Sequence, residues 1–491
     1  MKNIKKLSIL IVILSIVACS TIKTPPLGVN YERPLRNTKN VDFHYDLTYL
    51  DKDGNIQYDR NLWEATYKVI DNANEYLIIE MFLFNDLYNK DKENFPEFSK
   101  GYTERLVKKK KENPNLKIYI LLDENNNFYG AFEHPFIKMM KDSGIDVIEV
   151  GIMKLKDTFP WYSPIWRTFI EPAGNPQGKG WIRNFYGPMW PKLTIRNLLR
   201  ALNVKADHKK IFLNESEVIV SGANIHDPSY FHENVAIYTK GEITKDILDN
   251  IQKISQFSDK QINIENNFDT EELKKIDNKE DIFNSNIFDE VTDENYKIQY
   301  ISEGKIGEHL DNDIDSLNSG DELIMGMYFL ADNGIINRLI KAANRGVKIR
   351  IILDRSKDAF GISTNGIPNK PVSKKLKNKS NGKIEIKWYF TNNEQYHTKL
   401  TLMKKTDGSV IIQAGSANLI KKNIRGNIMD SNLRILSTEN SKLTKDIYSY
   451  FDRLWDNKDG IFTLYFDDEP TTNSTTDLMY KILDTTQLGS F

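Results

Sequence analysis

Cysteine is nearly absent from the sequence. Cys19 is the only one in 491 residues, which excludes an intramolecular disulfide framework and a Cys-rich zinc or iron–sulfur site. An excess of either charge is also missing. Lys and Arg number 67 against 68 Asp and Glu, a formal net charge of −1. The global basic field of a protein that coats nucleic acid is therefore excluded, and only a local basic groove stays open. After the first twenty residues no apolar stretch approaches the roughly 18 residues of a membrane-spanning helix. Histidine is scarce, at seven residues, so each one can be weighed individually. The rest is ordinary for a globular protein, with 40% hydrophobic and 27% charged residues. The length suits two or three domains at roughly 100–200 residues each.

The start of the chain reads as an address. Residues 1–19 (MKNIKKLSILIVILSIVAC) open with Lys2, Lys5 and Lys6, continue with an apolar run from Leu7 to Val17, and end on Ala18-Cys19. That is the secretory signal pattern. Ile16-Val17-Ala18-Cys19 also resembles the lipobox of bacterial lipoproteins. The resemblance implies cleavage before Cys19, a diacylglycerol on its thiol, and secretion across the inner membrane to a periplasmic or extracellular face. Residues 20–40, with Pro25, Pro26 and Pro34, are expected to form a flexible tether.

The same unit occurs twice. Residues 76–86 (YLIIEMFLFND) match 322–332 (ELIMGMYFLAD), and 116–123 (LKIYILLD) match 347–354 (VKIRIILD). These are short apolar runs of buried-strand type, separated by stretches of helical period. In the second copy the helical stretch 335–344 (IINRLIKAAN) ends at Arg345-Gly346. Strand, helix, strand in each copy predicts an α/β fold, a mixed sheet flanked by helices in each half. A third match joins 207–213 (DHKKIFL) to 396–402 (YHTKLTL); each is followed by a turn and a second strand, 217–221 (EVIVS) and 410–414 (VIIQA).

Spacing between the matches is uneven. Asp123 to His208 is 85 residues, Asp354 to His397 only 43. The first copy therefore carries an insert at about 153–195, holding Trp161, Trp166, Trp181 and Trp190 and six prolines. Such a segment makes a poor core element; an irregular lid or interfacial loop is expected, with a self-packed Ω-loop as the alternative. Residues 258–296, rich in Asp, Glu, Asn and Lys, read as a polar linker, and 468–491 as a peripheral tail.

The chemistry lies on two histidines. His208-x-Lys210 and His397-x-Lys399 each begin a strand, and each is followed by a small-residue loop with Asn, Ser221-Gly222-Ala223-Asn224 and Gly415-Ser416-Ala417-Asn418. A carboxylate follows each loop, Glu233 and Asp430. On a strand, residues i and i+2 share a face, so His and Lys of each motif project together. Lysine supplies positive charge to phosphate oxygens; Asn amides and backbone N–H groups add neutral donors. A carboxylate on the far ring nitrogen fixes the tautomer and raises basicity. One imidazole can then attack phosphorus while the other protonates the leaving oxygen. His44, His134, His226 and His309 lack a repeated partner and read as surface or structural; His232 is expected to face away from its neighbour Glu233. The run Lys108 to Lys111 reads as a solvated helix face.

Residues 41–467, with both copies of these motifs, resemble the phospholipase D superfamily, in particular its bacterial cardiolipin-synthase-type and phospholipase-type members. The resemblance implies a duplicated phospholipase D-type domain with the active site at the pseudo-two-fold interface, halves at 41–257 and 297–467, and no metal or other cofactor. It implies a phosphohistidine intermediate resolved by water or an alcohol acceptor. His208 would be the nucleophile and His397 the general acid. Lys210, Lys399, Asn224 and Asn418 would hold the phosphate, Glu233 and Asp430 would orient the histidines, and Ser416, opposite Gly222, would support one half only. The family's Asp seven residues after each His is Glu215 and Lys404 here. The expected substrate is a phospholipid, hydrolysed or transphosphatidylated, at a membrane held through Cys19. A cardiolipin synthase-type phosphatidyltransferase, a secreted endonuclease of the same superfamily and a non-catalytic surface-binding lipoprotein are the alternatives. Nucleic acid is not the expected partner, given the near-neutral charge.

Overall fold

A computed structural model describes residues 20–175, 177–266, 287–355, 358–359, 362–363, 365–469 and 472–486. The proposed signal peptide and Cys19 lie outside the described residues, as does most of the acidic stretch between the repeats. In chain order the main strands are β1 (Arg36–Thr38), β2 (Val41–Leu50), β3 (Ile56–Arg60), β4 (Tyr76–Met81), β5 (Lys117–Leu122), β6 (Asp146–Glu149), β7 (Lys210–Asn214), β8 (Glu217–Ser221) and β9 (Asn234–Lys240). The second repeat supplies β10 (Tyr296–Ser302), β11 (Glu322–Met327), β12 (Lys348–Leu353), β13 (Ile384–Tyr389), β14 (Lys399–Lys404), β15 (Ser409–Gly415), β16 (Ser431–Thr438) and β17 (Thr463–Tyr465).

Two large mixed sheets result. One runs β3-β2-β9-β8-β7-β4-β5-β6, the other β1-β10-β16-β15-β14-β11-β12-β13-β17. Seven consecutive strands correspond, β2 with β10 at one end and β6 with β13 at the other. In both, the last three strands are parallel and the others antiparallel. Fold class and duplication thus agree with the repeats.

Period-two alternation sets the layers. On β7, Ile211 and Leu213 join Val218, Val220, Leu400, Leu402, Val410 and Ile412 in a core between the two sheets, while Phe212 faces the opposite way, into the helices outside the first sheet. The second sheet has its own outer core under helices Gly304–Asp315 and Asn333–Arg345. The halves also interlock. Helix Ile243–Phe257, following β9, packs on β10 of the other half; helix Lys442–Trp455, following β16, packs on β2. Their apolar faces, Ile247, Ile251 and Ile254, and Ile447, Phe451 and Leu454, belong to the central core.

Residues 20–40 are not the flexible tether that their prolines suggested. β1 pairs antiparallel with β10, Tyr31 N donates to Ser302 Oγ at 2.8 Å, and Tyr31 is buried in the central core. Ile22 exchanges hydrogen bonds with Asp157, from N to Oδ2 at 2.9 Å and from Asp157 N to O at 3.0 Å. The edge of the second sheet offered unpaired backbone groups, and this segment covers them. At the other terminus, Glu469 bridges Arg355 and Lys370 at 2.8 and 2.9 Å, and helix Ser474–Thr486 is tied on through Lys374–Asp477. The tail is on the surface but fastened.

Candidate active site

β7 and β14 begin at the centre of the molecule, and each is held there by the same devices. Asp123, at the end of β5, accepts from Asp207 N at 2.7 Å; Asp354, at the end of β12, accepts from Tyr396 N at 2.8 Å. Asn126 and Asn369 repeat a second brace. Asn126 Nδ2 donates to Phe82 O and Asp123 O, and Asn369 Nδ2 to Tyr328 O and Asp354 O. Sequence reading missed this pair because the asparagines stand at unequal distances from the two aspartates.

Each motif strand also pairs across the pseudo-two-fold. His208 N donates to Met429 O at 2.8 Å, and Glu233 N to Gln395 O at 3.0 Å. Both imidazoles therefore stand at the junction, within electrostatic reach of each other and of both lysines. Lys210 Nζ donates to His208 O and Lys399 Nζ to His397 O, at 2.5 and 2.7 Å. The intervening Lys209 points to the opposite face, where it meets Asn250 Oδ1 at 2.8 Å and Glu303 at 3.3 Å. Phe82 and Tyr328, equivalent in the repeats, pack on the two rings at 4.9 and 5.0 Å between centroids.

The loops after β8 and β15 close the site. Asn224 Oδ1 accepts from Leu83 N at 3.3 Å, while Asn418 Oδ1 is buried without a hydrogen-bond partner among the described residues. Gly415 is required by close approach: a Cβ there would lie 2.2 Å from Ser431 O.

The orienting groups differ from expectation. His208 Nδ1 is 2.8 Å from Asp430 Oδ1, as expected of an orienting carboxylate. Asp430 is itself fixed by Ser416 Oγ at 2.7 Å and Asn423 Nδ2 at 2.5 Å. Ser416 thus serves the carboxylate. Glu233, the other carboxylate expected to orient a histidine, meets neither ring: His397 Nδ1 lies 2.9 Å from Asn234 Oδ1. The registers explain it. Gly222 N bonds to Val235 O where Ser416 N bonds to Ser431 O, so Asn234, not Glu233, is the counterpart of Asp430. A one-residue offset on a strand places a side chain on the other face. Glu233 Oε1 accepts from Thr48 N at 3.1 Å, and burial pushes its carboxyl well above the usual range. His232, expected to face away from its neighbour Glu233, has its ring 6.0 Å from that of His397 and accepts from Gln395 N, a place beside the site that sequence reading did not give it. Asn234 and Asn423 were not singled out from sequence; the register reveals the first, and the second stands on the short helix Lys421–Ile424, brought to Asp430 by the fold.

Electrostatically the site is poised for an anion. Burial, then Lys210, lowers His208 to about 4 against the opposing pull of Asp430. Burial lowers Lys210 to about 7 and takes Lys399 well below its usual value, Lys210 adding repulsion. His397 is pushed well down by burial, Lys399 and His232. A bound phosphodiester would oppose these shifts by favouring the charged forms. Glu215 and Lys404 lie at the far ends of their strands, where Glu215 accepts from Asn74 N and Lys404 pairs with Glu322.

Residues 314–455 match a family model described as "Cardiolipin synthase, PLD-like domain". No curated protein shows significant sequence similarity to the chain. Among solved structures, phosphatidylserine synthase of Haemophilus influenzae Rd KW20 is similar with a TM-score of 0.56 and 11% identity, over 96% of this chain and 97% of that one. Polyphosphate kinase from Porphyromonas gingivalis (0.44, 10%, over 92% and 54%) and Nuc, a phospholipase D family member from Salmonella typhimurium (0.26, 19%, over 34% and 97%), are more distant in fold. The family match thus lies in the second half, at residues 314–455, and the likeness to the solved synthase shows a fold shared over the whole chain.

Proposed function

We propose that the protein is a phospholipase D-type phosphodiesterase that cleaves or exchanges the head group of membrane phospholipids through a phosphohistidine on His208. One observation carries the reading: two His-x-Lys motifs meet at one junction, and of the two motif histidines only His208 is backed by a carboxylate among the described residues. With Asp430 accepting from Nδ1–H, Nε2 of His208 keeps its lone pair and its basicity is raised. It attacks phosphorus, and the bond to the head-group oxygen breaks. His397, backed only by the neutral Asn234, holds an imidazolium proton less firmly and gives it from Nε2 to that oxygen. His397 then takes a proton from water or an alcohol, whose oxygen displaces His208 and releases phosphatidic acid or a phosphatidyl-alcohol. Lys210, Lys399, Asn224 and Asn418 hold the phosphate oxygens.

Exchange with an alcohol, rather than hydrolysis, is favoured by the names of the family model and of the synthase with the same fold. Secretion and a lipid anchor on Cys19 belong to the same proposal. Incubation with mixed phospholipids plus glycerol or ethanol, followed by mass analysis, tests it. Phosphatidic acid indicates hydrolysis, and phosphatidyl-alcohol or cardiolipin indicates transfer. Unchanged lipids alongside a cut oligonucleotide would overturn the lipid reading.

A further inference from the structure

The insert of the first half is where apolar surface concentrates. Among the described residues, sixteen large hydrophobic side chains are exposed, and eight of them lie between residues 161 and 202: Trp161, Ile165, Phe169, Trp181, Phe185, Met189, Ile195 and Leu202. Trp181 and Phe185 are 70% and 71% exposed. They are not the products of an unfolded loop. Trp166 is buried, Arg167 is clamped by Asp157 at 2.6 Å, Trp190 Nε1 donates to Tyr88 O, and Thr194 and Asn197 form a capping box at helix Ile195–Ala201. The segment is thus a built platform that leaves particular aromatic side chains outside. A patch of this kind on a folded surface marks an interaction site.

Charge identifies the partner. Residues 153–202 contain eight Lys and Arg against two Asp and Glu, a net charge of +6 in a chain of net charge −1. Lys156, Lys179, Arg183 and Lys192 are exposed and make no ion pair among the described residues. Exposed Trp and Phe among free cations suit the interface of an anionic bilayer, where indole rings settle at head-group depth and each cation adds attraction to acidic lipid.

Two contacts fix where this surface stands. Lys422 Nζ lies 5.3 Å from the ring of Phe159 at the base of the insert, and the next residue, Asn423, bonds to Asp430 of the candidate active site. Ser20, the first described residue, sits on the insert as well. Its Oγ donates to Pro164 O at 3.3 Å, and its carbonyl accepts from Arg167. The chain therefore enters the fold at the platform itself.

We propose that the insert is a membrane-docking surface that seats the catalytic junction against an anionic phospholipid bilayer. The proposal rests on the reading of the substrate as membrane phospholipid. Ser20, which would directly follow a lipid-bearing Cys19, rests on this same surface, so anchor and platform would act together.

The test uses the full chain with vesicles of brominated phosphatidylcholine, with or without phosphatidylglycerol, and reads tryptophan quenching. Bromine reaches only indoles that enter the bilayer. Strong quenching is expected with phosphatidylglycerol present. It should vanish in a Trp161→Tyr/Trp181→Tyr variant. In a Lys179→Glu/Arg183→Glu variant the lipid concentration for half-quenching should rise at least about tenfold. No quenching, quenching that survives loss of both tryptophans, or indifference to the charge reversal overturns the proposal. Because quenching needs no turnover, its outcome is independent of the enzymatic reading. That reading is tested separately by whether the unsubstituted protein cleaves a soluble short-chain phosphodiester.

Discussion

Replacing Asp430 by Asn changes one atom and tests the division of labour between the two histidines. Asp430 Oδ1 faces His208 Nδ1 and Ser416 Oγ, and Oδ2 receives Asn423 Nδ2. An amide in its place has one acceptor oxygen for these neighbours. Turned toward Asn423, the new NH2 group meets another NH2 group. Turned the other way, it donates to His208 Nδ1, and the proton of that ring moves to Nε2, where the lone pair is needed. The charge is lost as well. At about 4 Å and an effective dielectric near 20, an imidazolium–carboxylate pair is worth about 4 kcal/mol, of which Lys210 and Lys399 nearby offset a part. Orienting carboxylates of this type are worth roughly 10²–10⁴ in rate. Phospholipid turnover by Asp430→Asn should therefore fall by about 10²–10³, with alkali-quenched phosphohistidine at position 208 reduced in parallel. Asn234→Asp, by contrast, should leave the intermediate on His208 and slow its formation, by holding the His397 proton more firmly. A loss for Asp430→Asn of less than about threefold would refute the assignment, since it lies below the range for any acid–base contribution.

His208→Ala and His397→Ala should each abolish turnover. Their melting temperatures should stay close to the parent's; residual turnover at a tenth of the parent rate would contradict a two-histidine mechanism. Acid should weaken the fold in a defined window. His208 titrates near 4 in the folded state against roughly 6.5 unfolded, so the unfolded chain binds the extra proton and stability is lost as pH falls from about 6.5 toward 4. The full loss from this group is about 3 kcal/mol, and denaturant titration of the parent against His208→Ala should isolate it. With a phosphodiester bound, Lys210 and Lys399 would provide the positive charge that a divalent cation supplies elsewhere, so EDTA should leave the rate nearly unchanged; a large loss restored by added metal would point to different chemistry.

The fold was legible because the duplicated units are strongly periodic. The paired runs 76–86 and 322–332 lie on β4 and β11, and 207–213 and 396–402 on β7 and β14. Duplication also made the two His-x-Lys motifs readable, since neither is specific alone. What could not be read was register. Glu233 and Asp430 look equivalent in a linear sequence because both are acidic. The strand ladder moves the equivalence by one residue, to Asn234, and hydrogen-bond pairing has no signature in one-dimensional spacing. Residues 20–40 misled for a related reason. Proline resists regular structure locally, but Tyr31 and Arg36–Thr38 are held by a sheet edge assembled from residues about 260 positions away.

Because His208 takes its orienting group from the second half and His397 from the first, neither half can drift alone. Every inherited change at residue 234 or 430 is felt by a ring encoded about 160 to 220 residues distant. A chimera joining one half to a relative's partner half would fold on shared architecture yet fail in chemistry unless the two lineages had kept matching groups. A substitution at either crossing therefore has to be compatible with the ring that the other half supplies.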